Sequence, residues 1–350
     1  MNLSPRFAHS ALAAALLSPL MADPLEYKAE RDIAKDKHLV LIASDHEYRS
    51  EETLPALARI LAKRHGFDCT VLFGVDDDGF IKAGEPNIKG LEALGSADAM
   101  IMFTRFQALP DEQMQHIDDY LKRGGPVMGL RTSTHGFRYD GKSGPYAKYD
   151  FQSKVQGYEG GFGEQILGQS WVGHYGKNHV QRTRIKVLPE KASHPILRGV
   201  EGVMHVYAGG YNAEPKSDWE VLTMAQPLTT MAADSQPDAS NPPMASEWTR
   251  EYRAENGNKG RVFTSLYGAS EDLTDAGYRR MLINATYWLC GLEDQINANS
   301  SVDFVGPYRP NTFATGKYAV GIKPSDYAGF ESQIPANDHL AQPMPKKNKK

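Results

Sequence analysis

The sequence predicts an α/β fold with a mostly parallel central sheet, and three observations predict it. Apolar runs of strand length recur without polar alternation, as they do in strands covered on both faces. Stretches with helical spacing separate these runs at short intervals, the pattern of strands joined by right-handed crossovers. The chain of 350 residues, 41% hydrophobic and 23% charged, is long enough to bury a large core.

The first run, His38 to Ser44, is continuous and apolar. Glu51 to His65 follows with Leu54, Leu57, Ala58, Leu61 and Ala62 at helical spacing, Ser50 as a candidate cap and Gly66 as the stop. Phe67 to Phe73 is a second strand, Leu91 to Leu94 belongs to a short helix, and Ala97 to Thr104 is a third strand. Pro110 to Arg123 reads as a helix opening on proline, and Pro126 to Leu130 as a fourth strand. Residues 136–163, rich in Gly, Tyr and Lys, read as a long loop across the sheet edge. Regular structure resumes at Gln181 to Leu188, then Trp219 to Met224, Met244 to Thr249 and Gly260 to Leu266, and the polar run 226–243 is an exposed excursion. Tyr278 to Leu292 is a closing amphipathic helix.

The ends differ from this body. Residues 1–22 have the form of a secretory signal, with Arg6 and His9 ahead of the apolar run Ala11 to Leu17 and Ala22 before Asp23. A buried N-terminal helix is the alternative, but Pro19 would break it, and the run is too short to span a bilayer. This places the mature chain outside the cytoplasm, periplasmic or extracellular, with 35–293 as the α/β domain. Residues 294–350 form an extension without periodicity that wraps the domain or is partly disordered, ending in a lysine-rich tail.

Charge narrows the partners. The whole chain carries a formal −4, and without residues 1–22 it carries −5, which argues against nucleic acid. No other stretch has the length of a membrane span, so no stable insertion is expected. Cys69 and Cys290 both sit in apolar surroundings and read as packed thiols.

In open α/β sheets the ligand crevice lies beyond the carboxyl ends of the strands. Three polar clusters fall at that edge: Ser44-Asp45-His46-Glu47-Tyr48-Arg49 after the first strand, Thr104-Arg105-Phe106 after the third, and Arg131-Thr132-Ser133-Thr134-His135 after the fourth. A fourth, Trp171 to His179, joins two imidazoles to an indole and flexible glycines. His135 and His174 are the candidate proton carriers, Glu47 or His46 the orienting group or base, and Arg131 the group that meets an oxyanion. Arg105, Thr132, Thr134, Trp171, Tyr175, His179 and His205 are candidate substrate contacts. His174 and His179 with Glu47 would suit zinc or another divalent ion on a loop, although their spacing of five rules out one helix face. The other histidines read as structural or exposed, with His65 positively charged at a helix end. Arg250 reads as a second anion clamp or a surface charge.

Gly129 to His135 has the outline of a nucleophile elbow, a strand breaking into a sharp turn. Where class I glutamine amidotransferases carry cysteine, this chain carries Arg131, so amidotransferase chemistry is not expected. Four stretches read together, Gly124 to Leu130 with His135, Ile166 to His174, His194 to Val200, and Trp248-Thr249-Arg250 with Gly260 to Phe263, resemble the ThuA-like trehalose-utilisation family. The chain departs from that family at His205-Val206-Tyr207, where an acidic pair is usual, and at Gly268-Ala269, where Gly-His is usual. The resemblance implies a three-layer flavodoxin-like, class I glutamine amidotransferase-like sandwich. It also implies carbohydrate metabolism, with oxidised (3-keto) glycosides within reach.

The resulting expectation is an exported protein acting on a sugar or glycoside by isomerisation, elimination or hydrolysis without a cysteine nucleophile. A carbohydrate-binding or scaffold protein without catalysis is the alternative. The partner is a small carbohydrate, with a homo-oligomer left open.

Overall fold

The computed structural model of the chain describes residues 24–341; the signal segment expected at 1–22 and the lysine-rich tail lie outside the described residues. In chain order the first half holds β1 (Leu25–Tyr27), β2 (His38–Ser44), α1 (Ser50–His65), β3 (Asp68–Phe73), β4 (Ala99–Thr104), α2 (Asp111–Lys122) and β5 (Val127–Leu130). The second half holds β6 (His174–Tyr175), β7 (Thr183–Val187), β8 (Val203–Val206), β9 (Gly210–Tyr211), β10 (Glu220–Pro227), β11 (Met244–Arg253), β12 (Lys259–Ser265) and α3 (Ala276–Leu289).

One sheet of ten strands runs β1-β3-β2-β4-β5-β12-β11-β10-β7-β8, and β6 pairs with β9 apart from it. Its centre, β3-β2-β4-β5-β12, is parallel throughout. Taken in chain order these five strands lie 2-1-3-4-5, the doubly wound flavodoxin-like arrangement, whose switch point falls between β2 and β4. The expected α/β sandwich is therefore present. What strand spacing did not convey is the long antiparallel wing of β11, β10, β7 and β8 on one side and β1 on the other.

The continuous apolar character of β2 reflects burial from both sides. Leu39, Leu41 and Ala43 enter the core shared with α1 and α3, while Val40 and Ile42 enter the core shared with α2. Gly66 ends α1 in the left-handed region (φ 78°), its N–H donating to the Ala62 carbonyl and the next N–H, of Phe67, to the Leu61 carbonyl. Ser50 is not the cap of α1: it is the first helical residue, and its Oγ accepts from the Asp45 N–H at 2.9 Å. The cap position is Arg49, itself left-handed at φ 64°.

Residues 297–341 carry little regular structure yet place Val302, Val305, Phe313, Ile322, Tyr327 and Ile334 in the α1–α3 core. Arg59 on α1 anchors the segment, donating to the Tyr327 carbonyl at 3.0 Å and the Ser332 carbonyl at 2.6 Å. Arg250 is likewise structural. Its NH1 donates to the carbonyls of Glu164, Gln165 and Ile166 at 3.1–3.3 Å, closing the helical turn Gly163–Leu167, and its NH2 pairs with Asp218 at 2.7 Å.

His65 departs from expectation. It is buried between the Tyr287 hydroxyl and the Ser301 carbonyl, and burial drives its pKa down to about 4, so it is neutral where a charged helix-end histidine was expected. Below the ordinary histidine pKa of 6.5 the unfolded chain binds a proton that the folded chain refuses until about pH 4. His65 alone should then remove up to about 3 kcal/mol of stability as pH falls through that window. Urea melts of the wild type and His65→Phe between pH 7 and pH 4 test this; equal pH slopes in the two proteins would contradict it.

Candidate functional site

The site forms where the loops after β2, β4 and β5 are tied to one another. Asp45 does the first tying: Oδ1 accepts the N–H groups of Glu47 (2.8 Å) and Tyr48, and Oδ2 accepts the Thr132 hydroxyl at 2.8 Å. The loop after β4 is fixed by the Arg105 N–H on the Ser44 carbonyl at 3.0 Å and the Phe106 N–H on the His135 carbonyl at 3.0 Å. Phe106 is left-handed at φ 51°, an uncommon conformation for a bulky residue that these bonds hold in place. The elbow is real: Arg131 opens the turn Arg131–His135 at φ 44°.

Two groups of side chains result. The first is charged: Arg105 NH2 pairs with Glu47 Oε2 at 2.9 Å, and NH1 lies 2.9 Å from His46 Nε2. Because the guanidinium can only donate, Nε2 is the acceptor and the His46 proton resides on Nδ1. Burial lowers the His46 pKa, with Asp45 and Glu47 opposing and Arg105 reinforcing.

The second group is aromatic. The His135 ring lies 4.9 Å from Phe106, 5.3 Å from Trp171 and 5.5 Å from Tyr211, and the residue is 2% exposed. Its Nδ1 is 3.2 Å from the Thr134 hydroxyl, which also reaches the Arg131 carbonyl. Burial first, then Arg105 and Arg131, push the His135 pKa well below the ordinary value, so the imidazole is neutral at neutral pH. His174 stands exposed at the rim, its ring 5.4 Å from Trp171 and 5.7 Å from Tyr211, with a pKa lowered by desolvation and by Arg131. Phe106 connects this group to the first through His46, whose ring is 6.4 Å away.

Arg131 does not stand where the sequence reading put it. It is wholly buried, its guanidinium 3.6 Å from the Tyr48 ring and 4.9 Å from the Tyr211 ring, with NH1 donating to the carbonyls of Gly209 (2.6 Å) and Leu266 (3.1 Å). Burial opposes its charge, but Tyr211, Tyr48 and Asp272 outweigh that and raise its pKa. Arg131 is thus a buried cation beneath Tyr48 and Tyr211, and Arg105, half-buried beside Glu47, is the cation of the charged group.

Five of the expected contacts play other parts. Thr132 is spent on Asp45 and Thr134 on Arg131 and His135. The Tyr175 hydroxyl turns away to the Pro242 carbonyl. His179 packs on Phe313, 4.5 Å between centroids, and His205 lies on β8 opposite Arg184. With His179 on Phe313 the zinc arrangement does not form, and among the described residues no group of three or more His, Cys, Asp or Glu side chains could hold a metal ion. Neither thiol serves the site: Cys69 is buried on β3, and burial pushes Cys290 up to about 12.

Tyr211 and Phe151 were missed: Tyr211 arrives on the short strand β9, paired with β6, and Phe151 from the 136–163 loop, flanking His135 at 5.5 Å and 6.3 Å. The one local signal for Tyr211 is Gly209-Gly210 before it: a Cβ on Gly210 would come within 2.5 Å of the Tyr267 hydroxyl. The Tyr48 hydroxyl, in the cluster after β2, accepts from Asn178 at 2.9 Å.

A family model described as trehalose utilisation matches residues 39–289. No curated protein matches the chain. Among solved structures, a putative ThuA-like protein from Bacteroides uniformis is similar at 13% identity and TM-score 0.46, covering 75% of this chain and 95% of that one. Another from Parabacteroides merdae is 13% identical with TM-score 0.43, covering 84% and 99%. An exo-beta-1,4-mannosidase from an Opitutaceae bacterium is 10% identical with TM-score 0.34, covering 72% of this chain and 35% of that one.

Proposed function

The chain belongs to the trehalose-utilisation (ThuA) family, whose description makes its role carbohydrate-related, and from that premise we propose that it transforms a sugar or glycoside by acid–base chemistry in the cleft around His135. The observation that carries this reading is a neutral imidazole enclosed by Phe106, Trp171 and Tyr211, a short distance from the Glu47–Arg105 ion pair. Aromatic faces stack on the apolar faces of sugar rings, and a neutral imidazole accepts a proton without first having to lose one.

On a glycoside carrying a ketone, His135 removes the proton from the carbon beside the carbonyl. Arg105 stabilises the enolate oxygen, and His174 at the rim returns or delivers a proton. Glu47, held by Arg105, orients the hydroxyls. Reprotonation on the neighbouring carbon gives isomerisation, and expulsion of a substituent gives elimination; hydrolysis would use the same imidazole to activate water. The residues at 1–22 support a further part of the proposal, that the protein works outside the cytoplasm.

Incubating the protein in deuterium oxide with 3-keto glucosides and their unoxidised parents, followed by proton NMR, tests the reading. Deuterium entering beside the ketone supports proton abstraction, whereas calorimetric binding without exchange or product leaves a carbohydrate-binding module. Trp171→Ala should raise KM about tenfold, the value of one lost stacking contact. An unchanged KM would remove Trp171 from the sugar site.

A further inference from the structure

The outer face of the β7–β8 edge carries cations that no acid answers. Side chains alternate along a strand, so Arg182, Arg184 and Lys186 share one face at about 7 Å spacing, while Thr183 and Ile185 are buried on the other. Pairing with β8 sets Arg184 directly opposite His205, and the Arg182 guanidinium lies 4.2 Å from the Tyr207 ring.

Among the described residues no carboxylate lies within ion-pair distance of Arg182, Arg184 or Lys186. The acid beside His205 is committed elsewhere: Asp275 accepts the His205 N–H at 2.9 Å through Oδ2 and caps α3 through Oδ1. The Gln226 amide, facing Arg184 from β10, donates to the carbonyls of Asp238 and Asn241. Meanwhile Nε of Arg182, Nε of Arg184 and Nδ1 of His205 are shielded from solvent without any hydrogen-bond partner. Shielded polar atoms left unpaired are costly, and in a chain of net negative charge a basic cluster without counter-ions is a place where a ligand can supply what the protein withholds.

We propose that this face is a second binding site, selective for an oxyanion group such as a sulfate or phosphate ester. The two guanidinium forks clamp its oxygens, Tyr207 holds the Arg182 plane in position, and His205 adds a donor from the neighbouring strand. None of the ring contacts or ion pairs joining His135, Trp171, His174, Tyr211, Glu47 and Arg105 includes these residues, so the site does not depend on the acid–base reading. His205, unused by the cleft, acquires a role here.

Isothermal titration calorimetry with sodium sulfate and with inorganic phosphate at low ionic strength tests the proposal, with heparin as a polymeric source of sulfate. Saturable binding of the small anions is expected, weakened about tenfold by the Arg182→Ala/Arg184→Ala double variant and unaffected by His135→Ala. The double lysine variant, which keeps the charge and loses the planar fork, should bind at least threefold more weakly, on the order of a lost bidentate contact. Heparin binding that sulfate competes away assigns the site to a sulfated polymer, and binding of the small anions alone assigns it to a small ester. Thermal melts establish that the variants fold; Arg184→Gln alone, with a smaller loss, serves if the double variant does not. Absence of saturable binding, or equal affinity in wild type and lysine variant, overturns the proposal.

Discussion

His135→Ala is expected to lower turnover of a 3-keto glycoside by about 10²–10⁴-fold, the usual contribution of a positioned acid–base group. The ring is at the centre of the aromatic group: Phe106, Trp171, Phe151 and Tyr211 all lie within 6.3 Å of it, and its backbone carbonyl holds the loop after β4. Alanine keeps that backbone bond, so the fold should survive with a loss of about 1–2 kcal/mol from the emptied space. His135→Asn is the sharper variant, since it retains a polar side chain that cannot carry a proton. The wild-type pH profile should carry the same signature. With the imidazole pKa held well below 6.5, the base form persists through mildly acidic solution, and kcat/KM falls only as pH drops through that depressed value. Unchanged kcat/KM in His135→Ala on a substrate the wild type converts would remove His135 from the mechanism.

Arg131→Met should destabilise the protein by about 3–5 kcal/mol, seen as a lower urea midpoint at constant slope. Methionine has a similar length but no donors, so the Gly209 and Leu266 carbonyls lose their partners and Asp272 loses a neighbouring cation. The stack of Tyr48, guanidinium and Tyr211 also comes apart, which moves one wall of the His135 enclosure. Arg131→Lys keeps the charge but cannot reproduce the planar fork and should recover only part of the loss. Activity of the methionine variant, corrected for the folded fraction, should fall mainly in kcat as Tyr211 shifts. Unaltered stability with a raised KM would mean that Arg131 touches substrate directly, as its place in the elbow first implied.

The parallel half of the sheet was legible because its strands are buried on both faces and announce themselves as unbroken apolar runs. The wing was harder: β10, β7 and β8 mix polar and apolar residues, and nothing local states which strand each will pair with. The candidate site divides the same way. His46, Glu47, Arg105 and His135 could be named because each follows a central strand, and strand ends share an edge whatever the loops do. Tyr211 and Phe151 could not, because one reaches His135 on a two-residue strand paired outside the main sheet and the other through a long loop, and both placements depend on the whole fold.

Sequence alone determined the family, the α/β class and the sheet edge at which the polar loops follow the central strands, since apolar periodicity and motif order are written residue by residue. Tertiary structure decided which way each of those side chains acts. It buried Arg131 under two phenols, set Arg105 between Glu47 and His46, turned His179 onto Phe313 and carried His205 out to the strand at the sheet's rim. The reason is that burial, charge state and hydrogen-bond partner belong to the environment that distant segments build around a residue, and no spacing along the chain encodes them.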